Sequence, residues 1–175
     1  MKESDINLVV DYFINAEPGF LKGMGADKNK LPERSEWITK LTEDLYEPIK
    51  EKQFYYVIWQ IEDEPFGHSN INRIKYGKNA TMHLHIWSRN RRQSGIGLKL
   101  LQQTIPYYFE NFELEKLICE PYALNPAPTK VLQKVGFEFV RAYDTTPGVI
   151  CFYQTVNRYE MSRDRFYEIN NTDGT

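Results

Sequence analysis

Apolar positions near the start of the chain fall with helical spacing. Ile6, Val9, Val10, Phe13 and Ile14 repeat at three- and four-residue intervals, which predicts a helix over residues 5–16 with Ser4 or Asp5 as its cap. Breakers follow at PGF and GMGADKNKLP. Trp37, Ile38, Leu41, Leu45 and Ile49 then restore the period and predict a second helix over 32–52, with Pro48 near its end. The pattern changes at residue 53. QFYYVIWQI is β-branched and aromatic, EDEP is a turn, FGHSNINRI follows, YGKN is another turn, and ATMHLHIW alternates. Residues 53–87 therefore predict three successive antiparallel strands.

From residue 95 the helical period returns in GIGLKLLQQTIPYYFENF, with Ile96, Leu100, Leu101 and Ile105 inward and Pro106 expected to kink or end the helix. KLICEPYA predicts a short buried strand. PAPTKVLQKVGF predicts a short helix, with Pro126 or Pro128 in its first turn and Gly136 just past its end. FEFVRAYDT and GVICFYQTV, joined through TPG, predict a last hairpin. Residues 168–175 look like a frayed polar tail. Neither a repeat nor a linker interrupts residues 1–167, so one domain is expected. Its class is α/β: a mixed, mostly antiparallel twisted sheet flanked by helices, with one parallel crossover through the 95–112 helix.

Composition narrows the function. The 175 residues are 41% hydrophobic and 26% charged, an ordinary globular balance, and the net charge of −2 argues against a nucleic-acid binder. Cys119 and Cys151 lie far apart in apolar runs, read as buried free thiols rather than a disulfide or metal motif, which fits a reducing cytoplasm. The longest apolar run is too short for a bilayer, and the first residues lack the apolar core of a signal peptide, so no membrane partner is expected.

The chemistry concentrates at residues 89–101, RNRRQSGIGLKLL. A strand, a short basic loop and a helix beginning near Gly95 form a strand–turn–helix unit. The first amides of a helix lack partners, its dipole favours anions, and glycine lets backbone approach closely. Arg89, Arg91, Arg92 and Lys99 add charge, so a phosphate-bearing ligand is expected. The segment is not a P-loop, because the Gly-Lys-Ser/Thr ending is absent, and it lacks the third glycine of the dinucleotide fingerprint.

What remains is Arg92-Gln93-Ser94-Gly95-Ile96-Gly97, an R-x-x-G-x-G pattern after a strand. It resembles the pyrophosphate motif of the GNAT superfamily, the acyl-CoA-dependent N-acyltransferases. NPAPTKVLQKVGF is similar to a second family segment, matching at Asn125, Lys134, Gly136 and Phe137. The resemblance covers residues 53–160 and looks closest to the branch containing ribosomal-protein N-terminal acetyltransferases. It implies acetyl-CoA as acyl donor. Residues 92–97 would hold the pyrophosphate. Ile86, Trp87 and Ser88 would line the pantetheine where two strands splay, opposite residues 119–122, and a backbone N–H near Trp87 would polarise the thioester carbonyl. Asn125 and Lys130 complete the implied cofactor set. Three departures stand out: no strand precedes the first helix, Pro128 replaces a small residue, and Leu132 replaces the tyrosine that serves as general acid in several relatives.

A substrate amine must be neutral to attack, so a nearby base would help. The chain has three histidines. His83 and His85 share a strand face, and hairpin counting puts His68 opposite Trp87, diagonal to His85. His85 with Glu120 would accept the proton, and Tyr122 would serve as general acid. The competing reading has the histidines satisfied on a sheet face and Tyr122 as a strand end. A non-catalytic acyl-CoA sensor is the alternative to an enzyme, and a partner-binding domain is a third reading. Residues 15–50 and 141–160 would supply the acceptor pocket, with Tyr143, Asp144, Phe152 and Tyr153 as lining. A small-molecule amine and a protein N-terminus both remain open, as does a homodimer.

Overall fold

The computed structural model describes residues 1–87 and 95–170. A short 3-10 turn leads into α1 (Ile6–Ile14), whose apolar stripe Ile6, Val9, Val10 and Phe13 is buried as its spacing predicts. A helix absent from the sequence reading, α2 (Pro18–Gly23), follows; Pro18 stands in its first turn, where a missing N–H costs nothing. The next helix, α3, is Arg34–Tyr46 rather than 32–52. Pro48 forces Glu47 into an extended conformation, and the helix stops one residue earlier. The charged C-terminal part of α3 turns inward at Asp44, which is 8% exposed and accepts from Gln53 N at 2.7 Å and Phe54 N at 3.2 Å.

The three predicted strands are β1 (Tyr55–Ile61), β2 (Glu64–Lys75) and β3 (Asn79–Ile86), paired antiparallel in order. His68 opposes His85, not Trp87. The register shifts between Asn72 and Lys75, where Arg73 adopts a left-handed φ of 48°, and this bulge moves every later pair.

The helix α4 (Ile96–Asn111) runs unbroken through Pro106. Pro106 removes one backbone bond, but Leu101, Ile105, Tyr108, Phe109 and Phe112 on either side are all fully buried, and burial outweighs the local penalty. Then come β4 (Lys116–Cys119), parallel to β3; α5 (Pro126–Val135), with Pro126 at its first position and Gly136 left-handed after it; and β5 (Glu138–Thr145). The last strand, β6, is Gln154–Ser162, six residues later than expected. Its buried positions change phase, Gln154 and Val156 first, then Tyr159 and Met161, which hides the period-two signal. Residues 146–153 form a loop rather than a tight turn. Residues 168–170, expected in a frayed tail, complete α6 (Arg163–Asn170), which buries Phe166.

The sheet order is β1-β2-β3-β4-β6-β5, with β3 and β4 the one parallel pair. One face carries the main core, in which Trp59, Ile71, Met82, Leu117, Tyr108, Leu132 and Phe166 bring α4, α5 and α6 onto the sheet. The opposite face is covered over β1–β3 by α1 and α3 through Ile6, Val9, Val10, Leu41 and Tyr56.

Candidate active site

Two strand pairings that end at different heights create the site. β3 and β4 are bonded only as far as Thr81 and Ile118. Beyond that point β3 stays with β2, up to Ile86 opposite Gly67. The chain after β4 stays with β6 instead: Asn157 N donates to Pro121 O at 3.0 Å, Ala123 N donates to Thr155 O at 2.9 Å, and Tyr122 bridges Val156. A wedge therefore opens between residues 83–87 and 120–123. Trp87 N donates to Phe66 O at 2.8 Å. Strand alternation then turns the backbone groups of Leu84 and Ile86 toward the wedge. The expected donor is a backbone N–H near Trp87; the N–H of Trp87 itself is committed to β2, and the wedge-facing amide at this height is that of the adjacent Ile86.

The start of α4 adjoins the wedge. Gly95 is left-handed (φ 78°) and supplies no side-chain cap, so the amides of Gly95, Ile96 and Gly97 begin the helix without one. Gly97 is buried; a Cβ there would meet Ile86 Cδ1 at 3.8 Å, which places the helix start against the end of β3. Lys99 is exposed one turn in. Ser88, Arg89, Arg91, Arg92, Gln93 and Ser94 lie outside the described residues. The described part of the seat nevertheless fits a diphosphate: uncapped amides, a helix dipole sixteen residues long, and glycines at the contact. On the far side Asn125 caps α5, accepting from Ala127 N at 3.3 Å, and Lys130 is exposed on the same helix.

The opposite sheet face carries the candidate acid–base groups. His85 is half-buried, its ring centre 5.5 Å from Tyr12, 5.1 Å from Phe13 and 4.9 Å from His68. Continuing the β3–β4 register places Glu120 across from His83, not His85. Glu120 is 6% exposed at its side chain; it accepts from Arg158 Nη1 at 2.8 Å and from the Tyr143 hydroxyl, and lies 3.9 Å from Arg73 Nη1. The structure thus joins Glu120 to two guanidiniums and a phenol and does not bring it to His85 as a pair. His83 Nε2 lies 3.2 Å from Asn72 Oδ1. Burial, then the Arg73 charge, pushes His83 down to about 4 against the pull of Glu120. Burial and the other two histidines hold His68 well below its ordinary range. Tyr122 stands on the far wall, its ring edge-on to Phe152 at 5.5 Å. Leu132, at the position of the family's acid, is wholly buried. At the apex of the wedge Cys119 Sγ donates to Met82 O at 3.0 Å; burial raises the thiol to about 12, so it stays protonated and inert.

Sequence reasoning missed Asn72, Arg73 and Arg158, because a bulge and a non-local strand pairing bring them here. It named both segments expected to supply the acceptor pocket but not their pairing into a roof. Residues 25–31 and the β5–β6 loop are zipped together: Ala26 bridges Cys151, Asp27 N donates to Ile150 O at 2.8 Å, Lys30 Nζ to Cys151 O at 2.9 Å, and Gln154 Nε2 to Gly25 O at 2.7 Å. Arg73 adds a bond to Pro147 O. Of the expected lining, Phe152 meets Tyr122, Tyr143 holds Glu120, Asp144 accepts from Thr155, and Tyr153 is 71% exposed. A cavity of about 330 Å³ opens beside Trp87, with Tyr12, Phe20 and Glu17 in its wall.

A splayed sheet with an uncapped glycine-bearing helix start beside it defines an acyl-CoA N-acyltransferase architecture. The profile of the acetyltransferase (GNAT) domain matches residues 1–138, and the chain belongs to that family. It is an acetyl-CoA-dependent N-acetyltransferase. A search among curated proteins finds no match. Among solved structures, a spermidine N-acetyltransferase from Vibrio cholerae, in complex with CoA and spermine, is 13% identical with a TM-score of 0.77, covering 95% of this chain and 94% of its own. The ribosomal L7/L12 alpha-N-protein acetyltransferase RimL, with coenzyme A, is 14% identical with a TM-score of 0.76, covering 94% and 92%. An aminoglycoside acetyltransferase with coenzyme A and kanamycin is 14% identical with a TM-score of 0.74, covering 97% and 96%.

Proposed function

We propose that this enzyme acetylates a primary amine, on a small molecule or at a protein N-terminus, by direct attack in a ternary complex. The wedge between residues 83–87 and 120–123 carries the reading: backbone of β3 lines one side while β4 stays bonded to β6. Bound acetyl-CoA supplies the activated acetyl carbonyl. The amides of Gly95, Ile96 and Gly97 hold its diphosphate, and Arg92, Gln93 and Ser94 are assigned to the same ligand. Ile86 faces the pantetheine and its amide polarises the carbonyl. Ser88, Asn125 and Lys130 contact the coenzyme arm, and Trp87 forms wall rather than donor. The acceptor enters from the histidine-bearing face, under the roof of residues 25–31 and 146–153.

An acceptor lysine amine has a pKa of about 10.4 and an α-amino group about 7.7–8.0, so a proton must leave before or during attack. His85, half-buried on the acceptor face, takes that proton, and Tyr122 returns one to the departing thiolate. Glu120 keeps Arg158 and Tyr143 in place instead of acting as base. The polyamine, protein N-terminus and aminoglycoside named for the similar structures are the acceptor classes to try first. The two free cysteines suit a cytoplasmic setting, and among described residues no helix is long and apolar enough to cross a membrane.

Thermal shift with acetyl-CoA tests the seat: ligand at one hundred times Kd stabilises by about 2.7 kcal/mol, and no shift at millimolar ligand rejects the reading. Thiol release with a polyamine, an aminoglycoside and a short peptide then identifies the acceptor. In pH profiles of kcat/KM, His85→Ala loses the acidic limb, whereas Glu120→Gln keeps its position. An unchanged limb in His85→Ala removes His85 from the mechanism.

A further inference from the structure

The acid–base proposal makes no use of His68, the most enclosed of the three histidines. It is 1% exposed, in the middle of β2, beneath α1. Its Nδ1 accepts from the indole Nε1 of Trp87 at 2.9 Å. A neutral imidazole has one donor and one acceptor nitrogen, so the proton sits on Nε2. That Nε2–H has no hydrogen-bond partner among the described residues. Its ring is enclosed by Tyr12 at 6.2 Å, Tyr56 at 5.4 Å, Phe13 at 6.3 Å and His85 at 4.9 Å.

An orphaned buried donor is costly, and such a group in a native core asks for an explanation. Stability does not provide one, since an apolar side chain of similar size would fill the space without stranding an N–H. What an apolar side chain cannot do is accept from Trp87. Trp87 is the last described residue before α4, and it is tied to β2 twice: its amide to Phe66 O at 2.8 Å and its indole to His68, two residues on. The same indole lines the cavity that opens on the acceptor side, with Tyr12 and Phe20.

We propose that His68 is a positioning residue, held as the neutral Nε2–H tautomer so that its Nδ1 fixes the Trp87 indole at the mouth of the wedge and thereby shapes the acceptor cavity. The inference rests on the acetyl-transfer reading for its kinetic consequence, but not for its geometry. Protonated His68 could not accept from Trp87, and burial beside His83 and His85 keeps the ring neutral. His68 touches neither acetyl carbon nor amine; it acts through Trp87. Misplacing a substrate-bounding wall by about 1 Å is enough to lower turnover up to roughly a hundredfold.

Three variants test this in the full-length protein. His68→Leu keeps bulk but removes the acceptor. His68→Asn places a carbonyl oxygen where Nδ1 stood. Trp87→Phe removes the donor. The indole N–H resonance of Trp87, assigned by its loss in Trp87→Phe, reports the bond directly by 15N NMR. It is expected downfield and slow to exchange in the parent and in His68→Asn, and upfield and fast to exchange in His68→Leu. At saturating acetyl-CoA, His68→Leu is expected to lose roughly tenfold or more in acceptor kcat/KM, with coenzyme thermal shift retained, and His68→Asn to recover most of it. The double variant His68→Leu/Trp87→Phe is expected to be no worse than the poorer single variant. An indole resonance unchanged in His68→Leu, fully additive losses, or equal losses in His68→Leu and His68→Asn each overturn the proposal. A parent protein that acetylates no amine sinks the functional reading instead, and the resonance test still decides the geometry.

Discussion

At Gly67 a single hydrogen decides whether two strands meet. A Cβ there would lie 2.6 Å from His85 O, 3.2 Å from Trp59 Cε3 and 3.3 Å from Ile86 Cα. The first and third of these are backbone, which cannot rotate away. Gly67→Ala is therefore expected to destabilise by about 2–3 kcal/mol, at the upper end of ordinary overpacking, and to weaken acetyl-CoA binding by displacing Ile86. Urea unfolding with a coenzyme titration measures both, and a fully stable variant with unchanged affinity contradicts the packing argument. Asp44 gives a second residue-scale expectation. Its carboxylate satisfies two amides at the entry to β1, so Asp44→Ala strands both and should cost about 2–3 kcal/mol, read as a fall in denaturation midpoint without loss of m-value. The glycines of the anion seat were legible in sequence because their chemistry is local. Gly67 and Asp44 were not, because what they touch lies across the sheet or beyond a turn.

Among the elements, the β1–β2 hairpin carries a visible local conflict. Its two-residue turn has left-handed backbone at Glu62 (φ 51°) and Asp63 (φ 63°), the geometry of a type I′ turn that favours Asn-Gly. Glu62→Asn with Asp63→Gly should stabilise the fold by about 1 kcal/mol, since both positions require a positive φ that Asn and Gly adopt with less strain. A lower melting temperature in the double variant would refute the turn assignment. Helices α1, α3, α4 and α5 and the first three strands could be read from periodicity because each exposes one face to one core, whereas α2 and α6 could not. Nor could β6, since it changes its buried face midway, and within α4 only the kink or stop expected at Pro106 failed, because five fully buried neighbours hold the helix through it.

For the whole molecule, the buried histidines set a pH dependence. His68 lies well below its ordinary value of 6.5 and His83 falls to about 4. In the unfolded chain both take up protons near pH 6.5, while the folded state resists until lower pH. The unfolded state then binds more protons, so stability is full above about pH 6.5 and is lost as pH falls toward 4. Each histidine contributes up to about 1.4 kcal/mol per pH unit across that window. Unfolding free energies at pH 7, 6 and 5 should fall progressively, and His83→Asn should flatten the slope. A pH-independent stability over this range would mean that the rings are hydrated in the folded state.

The order of amino acids by itself determined most of the alternation of elements and the glycine-marked helix start proposed to seat a diphosphate, which rest on periodicity and on backbone chemistry confined to a few neighbouring residues; the acetyltransferase reading came from the resemblance of two short motifs to a known family. Tertiary structure alone decided where β3 and β4 part, that Trp87 donates to β2 and leaves the wedge to Ile86, that Glu120 is gripped by Arg158 and Tyr143 rather than offered to His85, and that a bulge at Arg73 sets His68 opposite His85. Those facts depend on register and on which surfaces close over one another, and register is an outcome of the packed sheet as a whole.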